Sequence, residues 1–155
     1  LSVVQKDYLE KAYTSNERMI SLINDLLNIT RLEEGKFLQD VKKEDIAAIT
    51  EKTILPLKEM AQRKGLKFIF QKPKGKTPKV NVDAEKISLV IQNLIENAIY
   101  YTNSGEVKIS LEFIKDENQF LFSVCDTGIG IPEDQQNRIF TKFFRAANAL
   151  RVKTD

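Results

Sequence analysis

The chain has 155 residues, 42% hydrophobic and 30% charged, with nine Phe and four Tyr, a globular composition that excludes wholesale disorder. Lysine and arginine number 24 against 22 acidic residues, a net charge of +2 too small to imply a nucleic-acid partner. With no histidine and one cysteine, the chain has no means for imidazole acid–base or metal chemistry, Ser–His–Asp catalysis, internal disulfides or multi-cysteine zinc sites.

Residues 1–36 read as one long amphipathic helix and its exit. Met19, Leu22, Leu26 and Ile29 are spaced 3, 4 and 3. Ile23 and Leu27 widen this stripe, and Tyr8, Ala12 and Ser15 extend it backward. A helix of this length ahead of the globular pattern reads as a bundle or coiled-coil helix rather than one lying on its own domain. Gly35 is its natural stop.

Residues 37–41 are expected to form a short strand. Ile46, Ile49, Thr53, Leu57 and Met60 repeat at 3, 4, 4 and 3, which predicts a helix ended by Gly65 and kinked at Pro56. Residues 66–71 and 79–82 are short strand candidates around a loop containing Pro73, Gly75 and Pro78. The nearby Arg63, Lys64, Lys67, Lys72, Lys74 and Lys76 read as solvated charge, because no aromatics interleave the later lysines for base stacking. Asp83 is placed to cap a helix bearing Ile87, Val90, Ile91, Leu94, Ile95 and Ala98, which stops near residues 103–105. Val107, Ile109, Leu111 and Phe113 alternate with polar residues, as do Phe120, Phe122 and Val124 after Asp116-Glu117-Asn118, predicting an antiparallel hairpin. No apolar run nears the ~18 residues of a membrane span. The first residues show no charged segment followed by an apolar one, so no signal peptide is expected.

Two stretches carry chemistry. Cys125-Asp126-Thr127-Gly128-Ile129-Gly130-Ile131-Pro132 follows directly on a strand. Its two glycines let the backbone approach a ligand or adopt positive φ, and Asp126 can accept hydrogen bonds from an amino group such as adenine offers. Pro132, Glu133 and Asp134 suit the first turn of a following helix. A plain two-glycine loop would look the same. Asn93 and Asn97 are four apart on the preceding helix and project from one side. Asparagine carbonyls are hard donors suited to Mg²⁺ arriving with phosphates, although two surface amides would also fit.

Taken together, these residues resemble a family. Asn93-Leu94-Ile95-Glu96-Asn97-Ala98 resembles the N box of sensor histidine kinases, Asp126-Thr127-Gly128-Ile129-Gly130 their first glycine box, and Phe140-Thr141-Lys142-Phe143-Phe144-Arg145 their F box, in the family's order. Leu22-Ile23-Asn24-Asp25-Leu26-Leu27 and Arg31-Leu32-Glu33-Glu34-Gly35 resemble the second helix of the dimerisation and histidine-phosphotransfer hairpin. The resemblance implies an α+β fold, a two-layer α/β sandwich of the histidine-kinase ATP-binding type preceded by a long bundle helix. Residues 1–36 would be that second helix, and residues 37–155 the ATP-binding catalytic domain.

By the same resemblance, Asn97 would ligate Mg²⁺ and Asn93 would support the metal and phosphates. Asp126 would read the adenine amino group, with Gly128 and Gly130 closing under the base and Tyr101 and Ile131 beside the nucleotide. Phe140, Phe143 and Phe144 would anchor the hinge of the ATP lid, although Phe140 and Phe143 are also an i, i+3 pair that core packing would explain. Arg145 would sit near the phosphates. The cofactors implied are ATP and Mg²⁺. The γ-phosphoryl would pass to a histidine absent from this chain and then to a response-regulator receiver domain. Homodimerisation through the N-terminal helix is implied, as is a cytoplasmic location, free or as part of a membrane-anchored sensor.

Three departures stand out. Tyr100 occupies a position where the family often has a phosphate-binding lysine. The second glycine box and the strands after it are missing, and so is the phosphoacceptor helix, so the chain reads as a piece that alone would be inactive. Two alternatives remain beside the kinase: a non-catalytic nucleotide-sensing or interaction module, and a hydrolytic ATPase of the wider superfamily. Asn93 weighs against the second, since related ATPases place a glutamate there and an amide cannot act as general base.

Overall fold

The computed structural model describes residues 2–38, 40–141 and 144–149, and the chain divides into two compact units, residues 1–40 and 41–155. The first unit is helix α1, Val3–Glu33. Ser2 and Gln5 close its N-terminus with a reciprocal capping box: Ser2 Oγ accepts from Gln5 N at 3.2 Å, and Gln5 Oε1 accepts from Ser2 N at 2.8 Å. Gly35 N–H to Leu32 O at 3.1 Å and Lys36 N–H to Arg31 O at 2.8 Å close the other end. Along the stripe, Tyr8, Met19, Leu22, Ile23, Leu26 and Leu27 are 50–68% exposed.

The second unit runs β1 Val41–Glu44, α2 Ile46–Arg63, β2 Lys67–Gln71, β3 Val80–Asp83, α3 Ala84–Tyr101, β4 Glu106–Ile114 and β5 Gln119–Asp126, then a 3-10 helix Glu133–Arg138. β1 and β3 form an antiparallel pair, and a second sheet has the order β2-β4-β5. In that sheet β2 lies parallel to β4, and β4 and β5 form the expected hairpin, with Val107 opposite Asp126. The strand expected at 37–41 begins instead at Val41. Pairing decides this: β3 offers partners to Val41 through Glu44, and Phe37 and Leu38 lie outside any strand. Pro56 lies inside α2, and the helix expected after Pro132 is a short 3-10 turn.

One layer consists of α2 and α3, the other of the three-stranded sheet. Between them lie Ile54, Leu57 and Ala61 from α2, Ile91, Ile95, Ala98 and Ile99 from α3, and Val107 and Ile109 from β4. Ile95, Ile99, Val107 and Ile109 are fully buried, and each contributes about 1.5–3 kcal/mol of apolar transfer. Phe68, Phe70, Phe122 and Val124 seal the edges.

The position of α3 sets the site. Asp83 Oδ1 accepts from Lys86 N at 3.2 Å and caps its start. At the other end every carbonyl of the last turn has a donor. Thr102 Oγ1 donates to Ala98 O at 2.7 Å, Lys64 Nζ to Ile99 O and Tyr100 O at 2.8 Å each, and Ile129 N to Tyr101 O at 3.2 Å. The basic cluster is therefore only partly solvated charge. Lys64 caps a helix, and Lys72 and Lys67 reach Glu51 and Glu106 at 2.8 and 3.2 Å. Among the described residues no helix is long and apolar enough to cross a membrane.

Candidate nucleotide site

A cavity of about 540 Å³ opens where the C-terminal half of α3, the end of β5, the glycine loop and residues 144–149 meet. That volume is typical of small-molecule sites. α3 contributes Leu94, Asn97, Ala98 and Tyr101, spaced so that one helical face forms a wall. Val124 and Asp126 come from β5, and Ile129, Gly130 and Ile131 from the loop.

The loop is tied down by its own residues. Asp126 Oδ1 accepts from Gly128 N at 2.8 Å, which leaves the other oxygen of this cavity-lining residue to accept from another donor. Gly128 lies against the end of α3, where an added Cβ would stand 2.5 Å from Tyr101 O and 2.7 Å from Asp126 Oδ1. Thr127 locks the loop to the start of β4: its Oγ1 accepts from Glu106 N at 3.0 Å, and its own N–H donates to Glu106 O at 3.2 Å.

Of the residues singled out in the sequence, Asn97, Tyr101, Asp126, Gly130, Ile131, Phe144 and Arg145 line this one cavity. Gly128 lies beneath it, packed on Tyr101. Asn93 is exposed and stands one turn back along α3, outside the lining. Phe140 is 94% exposed, so core packing does not explain it and it forms no wall here. Phe143 lies outside the described residues. Phe144 stacks under the Arg138 guanidinium, 4.7 Å from the ring centroid. Sequence reasoning missed the apolar wall residues Val124, Ile129 and Ile139 as site residues, along with Ala146, Asn148 and Ala149. Alternation marks Val124 as inward-facing, but nothing in the residue order signals Asn148.

The donor set fits a nucleotide carrying its own metal. A carboxylate oxygen among apolar walls suits a flat, amino-bearing base. No group of three or more His, Cys, Asp or Glu among the described residues could hold a metal ion. Asn97 offers a single carboxamide oxygen, so Mg²⁺ here would take most of its ligands from phosphates and water, as it commonly does.

Comparison with known proteins places this geometry. Residues 82–154 match the histidine kinase-, DNA gyrase B-, and HSP90-like ATPase family. Over 149 residues the chain is 30% identical to the signal transduction histidine-protein kinase BarA of Escherichia coli (strain K12), covering 94% of this chain and 16% of that protein. Over 148 residues it is 26% identical to the circadian input-output histidine kinase CikA of Synechococcus elongatus, covering 95% and 20%. The structure of full-length ShkA in complex with AMPPNP matches with a TM-score of 0.77 at 26% identity, over 94% of this chain and 31% of that one. Histidine kinase ThkA in complex with the response regulator protein TrrA shares the fold, with a TM-score of 0.75 at 21% identity over 94% of this chain and 42% of that one. The chain is thus similar to sensor histidine kinases along nearly its whole length. It covers a fifth or less of the curated relatives' length.

Proposed function

We propose that this chain holds Mg²⁺–ATP for a sensor histidine kinase, whose γ-phosphoryl passes to a histidine on a neighbouring helix and then to an aspartate of a response-regulator receiver domain. The convergence of Asn97, Asp126 and the glycine loop on one cavity carries this reading. Asp126 accepts the base's amino group at Oδ2 while Oδ1 holds the loop through Gly128 N. Val124 and Ile131 exclude water from the faces of the base. Asn97 supplies a metal ligand, Asn93 supports the phosphate end one turn away, and Arg145 neutralises phosphate charge. ATP supplies the phosphoryl group when bound. The protein's contribution is to hold the nucleotide in place and to balance its charge.

Asn93 bears on the reaction class. A carboxamide cannot take a proton from water, which favours transfer to another group over hydrolysis. Residues 1–36 would be the second helix of a dimerisation hairpin, pairing two copies of the chain, and residues 37–155 the catalytic domain. The family likeness supports a cytoplasmic setting, alone or attached to a membrane sensor.

Calorimetric titration of the 155-residue chain tests the site. Asp126→Asn leaves one acceptor oxygen to serve both Gly128 N and the base and loses the carboxylate charge, a cost of about 1–2 kcal/mol or roughly 5- to 30-fold in ATP affinity. Binding of Mg²⁺–tripolyphosphate should be unchanged. Equal ATP affinity for both forms would remove Asp126 from the site.

A further inference from the structure

The segment after the F box is fastened to the glycine loop by side-chain amides that belong to none of the motifs. Asn148 Nδ2 donates to two backbone carbonyls at once, Gly130 O at 2.9 Å and Ile129 O at 3.2 Å. Both partners can only accept, so the nitrogen of the carboxamide must be the atom facing them. Asn148 Oδ1 is buried and has no partner among the described residues, so within that set the side chain acts as a donor alone. The neighbouring residues are held as well. Ala147 N donates to Gln135 Oε1 at 2.9 Å, Gln136 Nε2 donates to Ile131 O at 3.3 Å, and Ala149 is buried. Asn148 and Ala149 line the same cavity as Ile129, Gly130 and Ile131. The two carbonyls lie 18 and 19 residues back in the chain, so one carboxamide joins two distant stretches into a single wall.

We infer that Asn148 is a positioning residue for the base of an adenine nucleotide, an assignment that rests on the nucleotide site proposed for this cavity. Its carboxamide ties residues 144–149 to the glycine loop and so fixes the distance between the two sides of the cavity beside Asp126. At the triphosphate end, Asn97 stands on α3 and is not held by this contact, whereas Arg145 lies on the tied segment.

Isosteric replacement separates donation from mere filling of space. Asn148→Asp keeps the volume but sets a carboxylate oxygen against two carbonyl oxygens, whereas Asn148→Ala only removes the donors. If donation matters, Asp is the worse substitution; if filling matters, Ala is. The wild-type chain and both variants are titrated with ATP, adenosine and Mg²⁺–tripolyphosphate by calorimetry to millimolar concentration. Amide spectra of Ile129, Gly130 and Ile131 are recorded alongside. Loss of two hydrogen bonds should weaken ATP and adenosine about tenfold in Asn148→Ala and further in Asn148→Asp. Tripolyphosphate binding should weaken clearly less than adenosine binding, because Asn97 on α3 keeps its place and only Arg145 rides on the tied segment, and the loop amides should shift in both variants without ligand. Asn148→Asp binding as tightly as wild type or more tightly than Asn148→Ala, or equal losses for adenosine and tripolyphosphate, would overturn the role of Asn148 alone. A wild-type chain that binds tripolyphosphate but neither ATP nor adenosine would overturn the nucleotide site itself, and the role of Asn148 with it.

Discussion

At the scale of single residues, the two glycines of the loop differ in what they do. Gly130 has φ +64° with nothing within 4 Å of an added Cβ, so alanine there meets only the left-handed backbone penalty, about 1–2 kcal/mol. Gly128 is required by contact, because its Cβ would meet the Tyr101 carbonyl and the Asp126 carboxylate. Neither can yield freely: Tyr101 O already accepts Ile129 N, and Asp126 Oδ1 already accepts Gly128 N. Gly128→Ala should therefore cost about 1–3 kcal/mol of overpacking and also displace Asp126, weakening ATP more than Gly130→Ala, whose main effect should be on stability. Urea melts paired with ATP titrations check this, and parity of the two variants in affinity would show that close approach at Gly128 does not shape the site. The spacing of Asp126, Gly128 and Gly130 was legible in the sequence. Their partner was not, since a backbone carbonyl such as Tyr101 O has no sequence signature, and the Asn148 latch depends on a chain reversal that no local pattern encodes.

At the scale of elements, what could be read was whatever local chemistry decides. Asp83 capping α3, the glycine after α2 and the alternation of β4 and β5 all appear where periodicity and capping place them. The strand at Val41–Glu44 was misplaced by a few residues because β3, distant in sequence, sets its register. Lys64 reads as one more solvated lysine for a similar reason, as its partners Ile99 O and Tyr100 O lie 35 and 36 residues away. Its ammonium satisfies two of the last carbonyls of α3 and lies at the negative end of that helix, which is also the end that carries Tyr101 into the cavity. Lys64→Met keeps most of the apolar stem and removes the donors. It should lower stability by about 1 kcal/mol, reduced from the full value of two charged bonds because the side chain is largely exposed. Lys74→Met, on the exposed loop between β2 and β3, should stay within about 0.5 kcal/mol. Chemical denaturation of both decides the matter, and equal midpoints would mean that water caps α3 as well as Lys64 does.

At the scale of the whole molecule, helix α1 poses a problem that the second unit does not. The helix is 31 residues long, about 46 Å, and its apolar stripe from Tyr8 to Leu27 is half or more exposed, with Leu22 at 68% and Leu26 at 55%. Monomers rarely leave an apolar surface of that extent open to water, and an isolated helix owes little of its stability to propensity and most to packing. A second α1 offers a matching stripe at the heptad-like spacing already present in Met19, Leu22, Leu26 and Ile29. The chain should therefore self-associate, and Leu22→Glu with Leu26→Glu should place two charges in the seam and yield a monomer. The second unit has its own core, built from Ile54, Leu57, Ile91, Ile95, Ile99, Val107 and Ile109, none of it drawn from α1. The double variant should thus lose helicity by circular dichroism, as α1 frays without its partner, while its affinity for ATP matches that of the unaltered chain. Light scattering over a concentration series reads the first outcome, and calorimetry the second. A wild-type chain that is monomeric at every concentration would end the dimer-helix assignment, and loss of ATP binding in the monomeric variant would show that the nucleotide unit depends on the helix it follows.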